Sequence, residues 1–477
     1  MMSLKKSKIA IIDNGVNLEL LDGKIEECIC INEQNKVEKD IVKFCDTDFL
    51  HGTICALIVA NYETDSTLIS IRILEKNGKG GIEKIEPALN WCYLNGVKIV
   101  NLSLGSIDFR EYDRLNYLIN YYTYKGLILI AATSNQNYVT YPASFSNVIG
   151  VATSLNQIPA LKAYIHLGVD RLANSNHLIR LYDQEYETPI SNSYAAPYVT
   201  AKVAQILREK EEVDLCFLKK YFNQSEKKGL DIFYEPDWIY KAYRRKENKS
   251  SATYYFQTIP GEYADVEKEI DTVIIDSMEE LKDIGIEKKN IVYLGQEDIA
   301  PSITNGFVWS WQNRMNQIVN NTYKATSLEL PLIILDVWNE LDEYLILTTL
   351  KKLFADEGYH AYVIASKPEG VLYRLEYIPN MYTKPQMLRN FLEGQTHYKQ
   401  NDLVLWSVLH EDKKHLYQLY PDYDMEVQVK QEKNIVQVAI WIEKEMVFQS
   451  NESSLTQKVI MEMFQNIKHF LAEDKSE

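Results

Sequence analysis

Ile9-Ala10-Ile11-Ile12-Asp13-Asn14-Gly15-Val16-Asn17 reads as a short apolar strand closed by an acid and an Asn-Gly turn. A continuous apolar run bounded by turn residues suits a strand buried on both faces of a parallel sheet. The pattern recurs at Leu68–Leu74, Val97–Leu102, Leu127–Ala132 and Val148–Ala152. Between these runs the period becomes helical. Ile85, Leu89, Cys92 and Tyr93 share a face ahead of Gly96, Tyr112–Tyr124 is a Tyr-rich helix, and Ala195–Lys210 carries Val199, Val203 and Leu207 on one side. Alternating strands and helices predict an α/β fold built on a parallel sheet.

The charged stretch around Arg244, Arg245 and Lys246 supplies no apolar pattern and reads as a solvated linker over residues 243–252. It separates an expected first domain, 1–242, from a second, 253–477. Beyond it the rhythm resumes, with strands at Thr272–Ile275, Ile291–Leu294, Leu332–Leu335, Ala361–Ala365, Leu403–Val408 and Ile435–Ile442. A helix bearing Leu347, Leu350, Leu353 and Phe354 lies between two of them, and a C-terminal helix covers Leu455–Leu471. The second domain is expected to be Rossmann-like α/β, but its strand-loop-helix junctions lack the glycines and Lys of a phosphate cradle. No nucleotide or other cofactor is expected. The acids Asp336, Glu340, Asp342 and Glu343 cluster at one such junction, where they could bind a metal or a basic peptide or simply favour a helix N-terminus.

Composition narrows the function. The 477 residues carry 51 basic and 67 acidic side chains, a net charge of −16, so nucleic acid is a disfavoured partner. At 46% hydrophobic and 25% charged the chain is ordinary for a globular protein, and no stretch is apolar enough to span a bilayer. Cys28, Cys30, Cys45, Cys55, Cys92 and Cys216 have no zinc spacing and are expected to be reduced. Asp46-Thr47-Asp48 more simply shapes a turn than binds a cation, so no metal is expected. The basic start, Met1 to Lys8, is followed by only four apolar residues and no cleavage site. That predicts a first strand rather than a secretory signal, and a cytoplasmic protein.

Four segments carry chemistry in order: Asp13-Asn14-Gly15, His51-Gly52-Thr53-Ile54-Cys55-Ala56, Ala131-Ala132-Thr133-Ser134-Asn135, and Ser191-Asn192-Ser193-Tyr194-Ala195-Ala196-Pro197. Together they resemble the signature blocks of the subtilisin-like serine peptidases over about residues 7–210. Asn95–Gly105 and Tyr141–Val151 resemble that family's supporting segments. The resemblance implies a subtilisin-like parallel-sheet catalytic domain with Ser193 as nucleophile, His51 as general base and Asp13 orienting the imidazole. It implies an oxyanion hole made by the Asn135 amide and the Ser193 backbone N–H. Ser103, Leu104, Gly105 and Ser106 would pair with an extended substrate, and Gln136 and Thr140 would border its pockets. Ser191 stands where the family has glycine, Asn192 where it has threonine, Tyr194 where it has methionine, and Thr133-Ser134 replace a small-glycine pair. A Cβ at Ser191 raises the question of strain or a narrowed cleft.

The second half resembles a non-catalytic domain of clostridial peptide-maturation systems, through Leu332–Asp342 and Glu357-Gly358-Tyr359 leading into Ala361–Ala365. That implies removal of a leader from a ribosomally made precursor peptide, with maturation-complex partners. The alternatives are a general intracellular subtilase and a catalytically silent scaffold.

Overall fold

The computed structural model describes residues 7–21, 23–40, 50–154, 167–210, 212–225, 234–321, 323–324, 328–338, 341–379, 384–409, 413, 416–417, 420–421 and 423–473. Asp46–Asp48 and Glu340 lie outside them. The chain divides into two compact units, Met1–Tyr240 and Lys241–Glu477.

Eight strands form the sheet of the first unit: β1 Lys8–Asp13, β2 Ile25–Ile31, β3 Val37–Lys39, β4 Thr67–Arg72, β5 Ile99–Leu102, β6 Ile128–Ala132, β7 Ile149–Thr153 and β8 Arg171–Ala173. Their spatial order is β3-β2-β4-β1-β5-β6-β7-β8, parallel throughout except for β3 against β2. Central β1 is apolar on both faces, and Ile9, Ala10, Ile11 and Ile12 are all buried. The chain runs from β1 to β2, β3 and β4 on one side, then crosses to β5 on the other. Such a reversal opens a crevice beyond the carboxyl ends of the strands, where parallel sheets bind ligands. Asp13 is the last residue of β1.

The helix His51–Tyr62 packs against the helix Asn192–Glu209, which crosses β5 to β8. The latter starts three residues before the expected Ala195 and so takes Ser193 into its first turn. Ser and Asn are poor in helix interiors but suit the N-terminal turn. The sequence pattern missed β2, β3 and a small hairpin, β9 Leu178–Leu181 with β10 Gln184–Glu187. These strands are largely exposed, so charged residues interrupt their apolar pattern.

The second unit is also α/β, but its strands divide between two sheets. Parallel β11 Lys241–Arg244, β12 Gln257–Thr258, β13 Thr272–Ile275, β14 Asn290–Tyr293 and β15 Val308–Ser310 are ordered β12-β11-β13-β14-β15. The other sheet contains β16 Leu332–Val337, β17 Ala361–Ala365, β18 Glu376–Tyr377, β19 Leu403–Val408, β20 Met425–Glu432, β21 Ile435–Ile442 and β22 Glu445–Glu452. Its order is β18-β17-β19-β16-β20-β21-β22, ending in an antiparallel meander.

One expectation for this half is corrected, and for the acidic cluster the helix N-terminus reading holds at Asp342. Lys241–Arg244 is a strand of the second unit, not part of a solvated tether. The Arg244 side chain is 1% exposed and donates from Nη2 to Asp276 at 2.9 Å and from Nη1 to Glu369 at 2.6 Å. The acidic cluster is dispersed among separate partners. Asp336 pairs with Lys413, Asp342 accepts from the Leu345 N–H at the start of helix Glu343–Asp356, and Glu343 accepts from Ser366.

Arg244→Met should therefore lower stability by about 3 kcal/mol in urea unfolding of the full chain, because it leaves two part-buried carboxylates with only Lys246 nearby, at 3.3 and 4.0 Å. A solvated linker residue would change it by no more than about 0.5 kcal/mol.

Candidate functional site

Asp13 and His51 meet where β1 ends and the first helix begins. His51 Nδ1 lies 2.8 Å from Asp13 Oδ2, while Oδ1 accepts from the Asn14 N–H at 2.8 Å. Asn14 Oδ1 accepts from the Gly52 N–H at 2.9 Å, and Thr53 Oγ1 accepts from the Asn17 N–H at 2.8 Å. Asn14 thus satisfies one of the orphan N–H groups of this helix, whose own N-cap, Leu50, has no polar side chain. Gly52 is dictated by space. A Cβ there would sit 2.5 Å from Gly15 O and 3.0 Å from Asp13 Cβ.

Ser193 stands in the first turn of Asn192–Glu209, four residues before Pro197. Proline has no N–H, so the Ser193 carbonyl lacks its helical donor. Ser103 Oγ supplies one at 2.9 Å, and Cys55 Sγ approaches the same oxygen at 3.7 Å. Ser103 is held by Asn101 Nδ2 at 3.0 Å, and Asn101 Oδ1 accepts from Thr200 Oγ1 at 2.9 Å. One residue on, His177 Nε2 lies 3.1 Å from the Tyr194 carbonyl, and its Nδ1 faces the Tyr62 hydroxyl at 3.1 Å. Burial lowers the His177 pKa, which favours the neutral ring that this donor-acceptor pairing requires.

Asn192 ties the Ser193 loop to the end of β6. Its Oδ1 accepts from Thr153 N, and its Nδ2 donates to the carbonyls of Thr133 and Ser134. Asn135 is gripped at both ends: Oδ1 accepts from Asn192 N at 2.9 Å, and Nδ2 donates to Ser191 Oγ at 3.2 Å. Ser191 Oγ also lies 2.9 Å from Ser193 Oγ. Among the described residues, no hydrogen bond joins Ser193 Oγ to His51. The Ser191 backbone, at φ −157° and ψ 143°, is extended and any residue adopts it. The expected strain at this departure from glycine is absent.

The remaining site expectations narrow. The Ser103 hydroxyl is committed to the Ser193 carbonyl. Ser106 exchanges both backbone hydrogen bonds with Tyr141, so it has none left for a substrate strand on that edge. Leu104 is half-buried and Gly105 exposed. A Cβ on Gly105 would meet Thr140 Cγ2 at 2.6 Å. Thr140 is buried, its hydroxyl accepting from Ser134 N and donating to Tyr138 O, so it shapes the Asn135 loop. Gln136 is exposed beside Asn135.

The sequence reading passed over Asn101, Thr200 and His177 as functional residues. An Asn inside the apolar run Val97–Leu102 was the one local signal, because a buried amide in a strand needs partners. His177 had no signal in its local pattern.

Cys55 Sγ lies 3.9 Å from His51 Nδ1, and the Tyr194 ring stands 5.2 Å from the imidazole between centroids. Burial works against the His51 imidazolium. The Cys55 sulfur and the Asp13 carboxylate outweigh it and raise the pKa well above the ordinary histidine value. Asp13, His51 and Cys55 are the only trio of metal-type donors drawn together among the described residues. The Nδ1–Oδ2 contact at 2.8 Å has the length of a charge-assisted hydrogen bond. No helix among the described residues is long and apolar enough to cross a membrane.

Residues 5–216 match the Subtilase family of peptidases. Subtilisin-like protease 2 of Plasmodium falciparum is 30% identical over 257 residues, which are 48% of this chain and 18% of that protein. Subtilisin BL of Lederbergia lenta is 30% identical over 163 residues, 32% of this chain and 60% of its own. The chain thus spans less than two thirds of these curated relatives. A crystal structure of a lanthipeptide protease aligns with a TM-score of 0.37 at 16% identity, covering 46% of this chain and 79% of that one.

Only neutral imidazole accepts a proton, and a raised pKa keeps His51 protonated to higher pH. Activity should therefore fall as pH drops through a value above about 6.5. In Cys55→Ala that acid limb of kcat/KM should move toward about 6.5. A wild-type limb below about 6, or one indifferent to Cys55, would contradict this electrostatic account.

Proposed function

We propose that this chain is a cytoplasmic serine endopeptidase that removes the leader of a ribosomally made precursor peptide, with Asp13, His51 and Ser193 as its catalytic triad. The observation that carries the reading is the hydrogen bond from His51 Nδ1 to Asp13 at 2.8 Å, formed at the crevice end of β1. With Nδ1 committed to Asp13, Nε2 is the nitrogen left to act as base.

In this mechanism Ser193 Oγ attacks the scissile carbonyl carbon as His51 Nε2 takes its proton. The tetrahedral oxyanion is stabilised by Asn135 Nδ2 and the Ser193 N–H, whose position in the first helical turn leaves it without an intrahelical partner. His51 returns the proton to the leaving amine, which departs with one half of the peptide. Water, deprotonated by the same imidazole, then releases the acyl half from Ser193.

The substrate pairs through backbone groups near Leu104 and Gly105, a mode that carries little sequence information. Selectivity then needs a second contact. A separately compact unit, Lys241–Glu477, is a reasonable place for one, because docking raises the local concentration of a tethered segment. Cys28, Cys30, Cys55, Cys92 and Cys216 are all unpaired, as suits a reducing compartment.

One observation favours the scaffold reading: Ser193 Oγ is bonded to Ser191 rather than to His51. Hydrogen bonds of this kind often tighten only when substrate arrives, so the peptidase reading is preferred.

The test uses the full chain and a small fluorophosphonate. Peptide mass mapping should find the adduct on Ser193, and Ser193→Ala should abolish both labelling and peptide cleavage while circular dichroism is unchanged. Casein should survive the wild-type enzyme. Casein degradation would replace leader removal by general proteolysis, and no adduct at Ser193 would leave the scaffold.

A further inference from the structure

The Ser191 hydroxyl lies within hydrogen-bond reach of both Ser193 Oγ and Asn135 Nδ2. An acyl carbon bonded to Ser193 Oγ puts its oxyanion next to that atom and within hydrogen-bond reach of Asn135 Nδ2. Ser191 Oγ meets both conditions already, at 2.9 Å from Ser193 Oγ and 3.2 Å from Asn135 Nδ2. A glycine at this position would carry no such group.

We propose that Ser191 is a built-in plug: its hydroxyl fills the oxyanion seat of the free enzyme and must swing out before a substrate carbonyl can enter. This rests on the serine-peptidase reading and says what restrains that site. The plug is not a product of backbone strain, since Ser191 is extended. Nor is the hydroxyl needed to hold the loop. The loop is secured by Asn192, by the Ser191 N–H on Ser175 Oγ at 3.3 Å, and by the Tyr194 N–H on the Ser191 carbonyl at 3.1 Å.

The chemistry follows from the hydrogen-bond count. In the plugged state Asn135 Nδ2 donates to Ser191 Oγ, and the two serine hydroxyls share one hydrogen bond. Whichever serine donates, the oxyanion seat is full. Swinging out breaks both contacts, and the entering carbonyl restores only the one to Asn135. A small acyl compound brings nothing else to offset the loss. A long peptide bound at other points does, because remote binding energy can be spent on rearranging the reacting centre. The plug therefore selects for extended, docked substrates over short ones. Such selectivity suits a peptidase of narrow purpose.

The experiment compares full-length wild type, Ser191→Ala, Ser191→Gly and Ser191→Thr, each also carrying Asn135→Ala. Two quantities are read: the second-order rate of Ser193 modification by a small fluorophosphonate, and kcat and KM for a short peptide p-nitroanilide. Ser191→Ala should raise the modification rate about tenfold, as expected from freeing one or two ordinary hydrogen bonds. The same variant should raise kcat/KM on the anilide in proportion. Ser191→Gly should behave alike, which guards against a folding defect in either variant. Ser191→Thr restores a hydroxyl and should return the rate toward wild type, a rescue that a purely structural role would not predict. With Asn135→Ala the plug loses its anchor, so removing the Ser191 hydroxyl should then change the rate less than about twofold.

Folded Ser191→Ala and Ser191→Gly that react no faster than a reactive wild type would overturn the plug and leave the peptidase reading intact. Slower reaction in both would make Ser191 an assisting donor instead, which also rejects the proposal. If neither wild type nor variants are modified at Ser193, the peptidase reading falls, and the plug with it.

Discussion

Everything in the site hangs on one carbonyl. Pro197 stands where the helix beginning at Asn192 needs an N–H for the Ser193 oxygen, and it has none to give. Leaving a buried carbonyl unpaired is costly. Ser103 and Cys55 therefore come to it from two other segments, one following β5 and one in the helix that begins at His51. Ser193 is thereby locked to the strand that flanks the crevice and to the helix that carries His51. A defect in the helix ladder has become the joint that brings distant segments into register.

Around that joint, asparagines do much of the connecting. Asn14 joins the Asp13 loop to the His51 helix, Asn101 joins β5 to the nucleophile helix, and Asn192 joins that helix to the ends of β6 and β7. Each amide has both a donor and an acceptor, so each can bridge two backbones that run in different directions. All three are buried. Asn101 and Asn192 use both ends of the amide, which makes them specific rather than merely tolerated, and Asn14 uses its oxygen. Gly52 and Gly105 serve the same end by a different route. They let two chains approach more closely than a Cβ permits. The departures at Ser191, Asn192 and Tyr194 read differently in this setting. Asn192 strengthens the weave, Tyr194 lays a ring beside His51, and Ser191 turns toward the reacting atoms.

The second unit relies on ion pairs, as the first does where Lys219 meets Asp170 at 2.9 Å. Arg244 reaches from β11 to Asp276, which follows β13, and to Glu369 beyond β17, linking its two sheets. Arg314 and Lys399 converge on Glu376 in the same way and hold its carboxyl down at about 2, despite burial that pushes the other way. The run Arg244–Lys246 has the composition of a linker, and composition cannot tell a solvated charge from a paired one. That difference depends on where Asp276 and Glu369 arrive, far along the chain.

The sequence by itself determined the strands whose apolar runs are unbroken. β1, β13, β17 and β19 stand within a residue or so of where periodicity puts them, because burial on both faces keeps polar residues few and leaves a plain signal. It also determined which chemical groups are present, since Asp, His, Asn and Ser each end or begin an element in a recognisable local pattern. Only the tertiary structure decided what those groups touch. Local pattern did not show that Asn135 would spend its amide on Ser191, that Ser103 would turn to the Ser193 carbonyl, or that Thr140 would be enclosed. Hydrogen bonds are short and directional. A shift of about an ångström changes the partner, and for Asn135 and Ser103 that ångström is set by the packing of segments 56 and 90 residues away.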